Sequence, residues 1–176
     1  MRIQPDDVLL VVDVQNDFCP GGALAVADGD AVVPVVNRLI ERFEHVVLTQ
    51  DWHPPRHGSF ASSHPGSAPF ETIAMPYGQQ TLWPDHCMQG TPGAELCSEL
   101  DMDGITRVFR KGMDATVDSY SGFFDNGRRS STGLGEWLRA EGIDPDTRKI
   151  KVGSYDITAD TYGAVPLTVG GRAVGG

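Results

Sequence analysis

Apolar and polar positions alternate along this chain in blocks, and the blocks change period. Residues 8–12, VLLVV, are a continuous apolar run of strand length, rich in β-branched residues. Such a run predicts a strand buried on both faces. Beyond the turn-like CPGGALAVADGD, Val32, Val35, Val36, Leu39, Ile40 and Phe43 fall on the i, i+3, i+4, i+7 positions of one helical stripe. Asp30 is the expected N-cap, and Pro34 falls in the first turn, where a missing N–H costs least. VVLT at 46–49 predicts a second strand. Residues 54–93 are polar and rich in Pro, Gly and Ser. So long a connection is either functional or disordered. A short helix is expected to start at Thr91-Pro92. Ile105 to Arg110 predict a third strand, and Leu134, Trp137 and Leu138 a helix closed by Gly142. KIKV at 149–152 is a weaker fourth strand.

Strands alternating with helices predict a three-layer α/β fold, a central parallel sheet flanked by helices. In such sheets ligands bind beyond the carboxyl ends of the strands. Three strand ends here carry chemistry: VLLVV ends in Asp13, VVLT leads into Asp51 and His53, and RVFR ends in Lys111. Asp51 and His53, two apart in extended chain, point to one side. A carboxylate and an imidazole so placed suit a divalent cation such as Zn²⁺, Mn²⁺ or Fe²⁺. His57 and His86 are further candidates. Such a mixed N/O set would leave open positions, as catalytic sites do. The same residues also suit loop capping, and spacing alone leaves that open. His45 and His64 lack such partners and read as surface residues. Asp13 and Lys111 are either a salt bridge or a pair that activates a thiol. Phe18 and Trp83 are either core or the walls of a flat apolar slot.

The charge balance narrows the partners. The 176 residues carry a net charge of −10, with a pI near 4.7. Nucleic acid is thereby disfavoured, since phosphate binding needs a basic face. No apolar stretch reaches the roughly 18 residues of a membrane span. MRIQPDDVLLVVD lacks the pattern of a signal peptide. Three cysteines, Cys19, Cys87 and Cys97, suggest free thiols and a cytoplasmic setting rather than a disulfide framework.

Four segments taken together carry a resemblance: VVDVQNDFCPGGALAV, TQDWHPPRHGSFA, LWPDHCMQGTPGAEL and FRKGMDATVDSYSGFFDN. In this order they resemble the nicotinamidases of the isochorismatase-like hydrolase family, over about residues 8–142. DWH and WPDHC resemble the metal-containing members. The resemblance implies hydrolysis of nicotinamide, or a related pyridine carboxamide, to the acid and ammonia. It implies Asp13 as catalytic acid/base and Lys111 as the cation of the catalytic triad. Asp51, His53 and His86 would hold one divalent metal ion (Zn, Mn or Fe), with His57 an additional ligand in some members. Phe18 and Trp83 would sandwich the pyridine ring.

The resemblance stops short of the family's third catalytic residue. That residue is a cysteine after the next strand, in a motif like Gly-x-Ala-Thr-Asp-x-Cys. Here KIKVGSYDITADTYGAVPLTVGGRAVGG contains no cysteine, and Tyr162 or Gly163 stands near its place. Residues 1–152 are therefore read as the isochorismatase-like domain, and 153–176 as a divergent tail, frameshifted or truncated. An uncovered sheet edge would favour a homo-oligomer. Two rival readings stand beside the amide hydrolase. One is a metal- and pyridine-binding homologue without turnover. The other is a metal-free relative acting on a different amide or on a vinyl ether.

Overall fold

In the computed structural model the described residues are 3–143 and 145, together with the backbone of short strands at 150–152, 155–157, 168–169 and 172–173. The divergent-tail expectation for 153–176 lies outside the described residues apart from those strand backbones.

The elements run β1 (Val8–Val12), α1 (Val33–Ile40), β2 (His45–Asp51), β3 (Thr72–Met75), β4 (Gly78–Thr81), β5 (Arg107–Lys111), α2 (Leu134–Ala140), β6 (Ile150–Val152), β7 (Tyr155–Ile157), β8 (Thr168–Val169) and β9 (Arg172–Ala173). The main sheet has the order β5-β2-β1-β6-β7. β1 pairs in parallel with β2 and β6, and β2 in parallel with β5. β7 departs from the expected all-parallel sheet, since it returns antiparallel on β6.

The layers follow from side-chain alternation. Leu9 and Val11 of β1 and Val46 and Leu48 of β2 pack with Val33, Val36 and Ile40 of α1. Val8, Leu10, Val47 and Phe109 point the other way, onto Leu134 and Leu138 of α2 and Phe123. Because successive strand residues face opposite sides, a continuous apolar run is what a strand between two helical layers requires. Among the described residues no helix is long and apolar enough to cross a membrane.

Several local expectations change. Asp30 does not cap α1: Asp28, left-handed at φ 54°, precedes a 3₁₀ turn at Gly29–Val32 that runs into α1. Asp30 thus sits inside that turn. Pro34 does fall in the first turn of α1. α2 closes as expected at Gly142 (φ 77°). Gly142 N–H donates to Arg139 O and Ile143 N–H to Leu138 O, the paired bonds of a Schellman ending. The polar stretch 54–93 is ordered, with 3₁₀ turns at Ala61–Ser63 and Pro92–Ala94 and the β3–β4 hairpin. His45 and His64 are half-buried rather than on the surface. His64 Nε2 bonds Gly58 O at 2.8 Å.

β2 runs two residues past its apolar segment, and β5 ends on Lys111 rather than before it. Polar Gln50 can stay in the ladder because its side chain is satisfied: its Nε2 donates to Ala94 O, and its Oε1 accepts from Arg110 Nε. The register then sets Asp51 directly opposite Lys111.

Candidate active site and metal-ligand cluster

The carboxyl ends of β1, β2 and β5 lie together, so Asp13, Asp51 and Lys111 converge. Lys111 is buried, and its ammonium has three acceptors. Asp51 Oδ1 lies at 2.5 Å, Asp13 Oδ2 at 2.9 Å and Ser119 O at 3.0 Å. All three of its N–H donors are therefore used. Asp13 adopts a left-handed φ of 50° just past β1. Its Oδ1 accepts from Thr49 Oγ1 at 2.7 Å. Burial raises the Asp13 carboxyl above its ordinary value, against the pull of Lys111. For Asp51, burial acts in the same upward direction, but Lys111 and His53 outweigh it and the net shift is downward. Burial would lower the Lys111 ammonium. Asp13 and Asp51 overcome that and raise it. One lysine thus holds two carboxylates, one shifted upward by burial and one shifted downward by its charged neighbours.

Asp51 uses its second oxygen on the other side, where Oδ2 lies 3.8 Å from His53 Nε2. Potential ligand atoms of Asp51, His53 and His86 all fall within 4.8 Å of one another. His53 Nδ1 bonds Gly112 O at 2.9 Å, and His86 Nδ1 bonds Pro84 O at 2.8 Å. A carbonyl can only accept, so each ring carries its proton on Nδ1 and presents a lone pair at Nε2. That backbone support is typical of metal-binding histidines. Gly112 is essential to it. Gly112 has φ 64°, and a Cβ there would meet His53 Cε1 at 2.4 Å. A carboxylate and two neutral imidazoles, all buried, fit a divalent cation with open coordination positions.

His57 belongs to an adjoining group. It stacks against His53 with ring centroids 4.4 Å apart. Its potential ligand atoms cluster with those of His53 and Asp118, not with Asp51 and His86. Ser59 N–H donates to His57 Nδ1 at 3.2 Å. Its buried Nε2 has no hydrogen-bond partner among the described residues.

Burial depresses His53, His57 and His86 alike. The sign for stability follows. Below an unfolded pKa near 6.5, the unfolded chain takes up protons that the folded chain refuses, so stability falls with falling pH. Each histidine that stays neutral contributes a slope of about 1.4 kcal/mol per pH unit. We expect the urea midpoint of the metal-free protein to drop steadily from pH 7 to pH 5. His57→Gln should shallow the slope. A flat midpoint over that range would contradict the burial of these rings.

The aromatic candidates lie around the same centre but touch different neighbours. Phe18 packs edge-on against His86, with centroids 5.7 Å apart. Trp83 packs against Phe70 and Tyr120. Its indole N–H donates to Tyr120 Oη, which also accepts from Gln80 Nε2.

Sequence reasoning passed over several residues that shape the site. Gln15, fully buried, accepts from Asp51 N–H and donates to Asp51 O. Asp118 accepts from Ser119 N–H and from Gln80 Nε2. Asp17 accepts from Cys87 N–H at 2.7 Å. All three sit inside the segments that carried the resemblance, beside residues with more obvious chemistry.

Comparison with known proteins gives a consistent set of relatives. A family model for the isochorismatase domain matches residues 7–150. A nicotinamidase of Acinetobacter baylyi is 53% identical over 136 residues, covering 77% of this chain and 64% of its own length. The chain thus spans slightly less than two thirds of that relative. A solved nicotinamidase/pyrazinamidase from Acinetobacter baumanii superposes with a TM-score of 0.79 at 51% identity, covering 81% of this chain and 69% of its own. A pyrazinamidase of Pyrococcus horikoshii, solved in complex with zinc, gives a TM-score of 0.59 at 36% identity, covering 79% of this chain and 66% of its own.

Proposed function

The chain belongs to the isochorismatase domain family, and from that premise we propose that its site takes a pyridine carboxamide and is built for hydrolysis of nicotinamide to nicotinate and ammonia. The observation that carries the reading is one side chain. Asp51 joins the Asp13–Lys111 pair through one oxygen and the His53–His86 cluster through the other. In this reading Asp51, His53 and His86 hold one divalent ion, Zn, Mn or Fe. When bound, the ion supplies a template that orients the ring nitrogen. His57 lies close enough to His53 to act as an auxiliary group.

The remaining roles belong to the chain itself. Phe18 and Trp83 flank the ring, with Trp83 held by its bond to Tyr120. Asp13, fixed by Thr49 and Lys111, is the group that moves a proton. Its raised pKa makes the protonated form accessible, which suits an acid/base that must pass a proton to departing ammonia. Lys111 holds Asp13 in place and keeps the site's charge balanced. We place the reaction in the cytoplasm, in pyridine-nucleotide salvage. The unpaired Cys19, Cys87 and Cys97 suit a reducing compartment.

A second reading, binding without turnover, is favoured by the cysteines. Cys87 is wholly buried, and desolvation with nearby carboxylates raises its thiol far above the ordinary range. Cys19 and Cys97 engage each other.

The test of the site is metal content together with ligand binding. Protein stripped with a chelator and resupplied with Zn²⁺, Mn²⁺ or Fe²⁺ should retain about one ion per chain. Nicotinate should then quench Trp83 emission. His53→Ala and His86→Ala should each lower the metal affinity by at least about 100-fold, the upper end of the usual loss from removing an outer-shell partner. Wild-type protein that retains no metal after resupply would overturn the ligand assignment.

A further inference from the structure

Away from the Asp13–Lys111 centre, two cysteines 78 positions apart meet, with Cys19 Sγ and Cys97 Sγ separated by 3.0 Å. The main chain brings their segments together. Asn16 N–H donates to Glu95 O, Cys97 N–H donates to Val14 O, and Gln15 bridges Leu96 in antiparallel fashion. Cys97 is buried and Cys19 half-buried. Both line a surface cleft of about 390 Å³, with Asp30 and Glu99 in its wall. A disulfide bond is about 2.05 Å long, so the two sulfurs need to close by only about 1 Å.

We propose that Cys19 and Cys97 are a reversible thiol-oxidation site, which forms an intrachain disulfide on reaction with a neutral or cationic low-molecular-weight disulfide. The more exposed Cys19 reacts first. Its thiolate attacks one sulfur of the small disulfide and expels the other half as a thiolate. Cys97 then gives up its proton, attacks the Cys19 sulfur and expels the second half. Two protein thiols are oxidised, one small disulfide is reduced to two thiols, and the two cysteine protons end on those thiols. Asp30 and Glu99 disfavour an anionic oxidant. Burial, Cys19 and the two acids push the Cys97 thiol up to about 12, which slows the second step. Closing the bridge pins the Asn16–Phe18 turn to the 95–97 segment. Transient bridges of this kind are the form that disulfides usually take in reducing compartments.

Treating the full chain with cystamine should lower its intact mass by about 2 Da, the two hydrogens lost in thiol oxidation. A non-reducing peptide map should join the Cys19 peptide to the Cys97 peptide. Closing so long a loop should raise the melting temperature by several degrees. Oxidised glutathione, anionic, should react more slowly. Cys19→Ser and Cys97→Ser should each abolish the cross-link, while Cys87→Ser keeps it. The proposal fails if wild-type protein gains a stable cystamine adduct without the cross-link, links through Cys87, joins chain to chain, or remains fully reduced.

Discussion

Replacing Lys111 with Ala should destabilise the protein by about 3–5 kcal/mol, the usual cost of removing one partner from a buried ion pair. Total stability for such a domain is roughly 5–15 kcal/mol, so the variant should be near the edge of unfolding. Lys111 is the shared counter-ion of Asp13 and Asp51. Without it two carboxylates face each other in a buried setting. Lys111→Met separates charge from volume, since it restores much of the stem but not the ammonium. It should also be strongly destabilised at pH 7. Its pH dependence should be distinctive. With no cation the folded carboxyls hold protons above their unfolded pKa, near 3.9. That contribution is full below the unfolded value and is lost as pH rises through the folded value. Lys111→Met should therefore recover part of its deficit between pH 7 and pH 4.5, against wild type measured at each pH. Urea titrations of both proteins decide it. A deficit below about 1 kcal/mol at pH 7, the range of exposed pairs, would mean that Lys111 is not the pair's buried counter-ion.

That pairing shows where sequence reading succeeds and where it stops. VLLVV is legible as a strand covered on both sides because burial on two faces leaves no room for polar alternation. The stripe Val32–Phe43 is legible only in part: Val36 and Ile40 are buried where α1 meets the sheet, but Val35 is exposed and Val33, off the stripe, is buried instead. Asp13, Asp51 and Lys111 are legible as strand-end residues because parallel strands deliver their carboxyl ends to one edge. That Asp51 stands opposite Lys111 is a matter of register, which depends on Gln50 finding partners far along the chain. Nothing local in VVLTQD announces them. The tautomers of His53 and His86 are set by the carbonyls of Gly112 and Pro84. Of these, Gly112 lies 59 residues from its partner. Asp30 is legible as a polar residue before a helix, but not the extra 3₁₀ turn that moves the start to Asp28. The Cys19–Cys97 contact depends on the 14–16 and 95–97 segments lying side by side, and no spacing rule reports it.

Nicotinamide turnover by this 176-residue chain should sit at or near background, even with the metal loaded. The resemblance implies a cysteine nucleophile, whose thiolate would attack the carboxamide carbon with Asp13 and Lys111 preparing it. Each cysteine present has a physical obstacle. Cys87 is fully buried, and desolvation with Asp51, Asp17 and Asp13 nearby strongly favours its neutral thiol. Cys97 is buried, its thiol is raised, and its sulfur lies 3.0 Å from that of Cys19. Cys19 lines a separate cleft with Cys97, Asp30 and Glu99. In the proposed reading an ion on Asp51, His53 and His86 would sit at the ring nitrogen, so it would not replace the thiolate. Removing a nucleophile commonly costs several orders of magnitude in rate while binding survives. The expected pattern is therefore split: nicotinate binds and quenches Trp83, while ammonia release from nicotinamide stays within a few-fold of the buffer rate. Turnover on the order of 1 s⁻¹ or more, the ordinary enzyme range, would sink this expectation. Single Cys→Ala variants would then name the nucleophile by which of them loses the rate. Loss at Cys19 alone would move the reacting carbonyl toward the Phe18 side of the site. Loss at Cys87 alone would require the segment from Trp83 to Cys87 to open before each turnover.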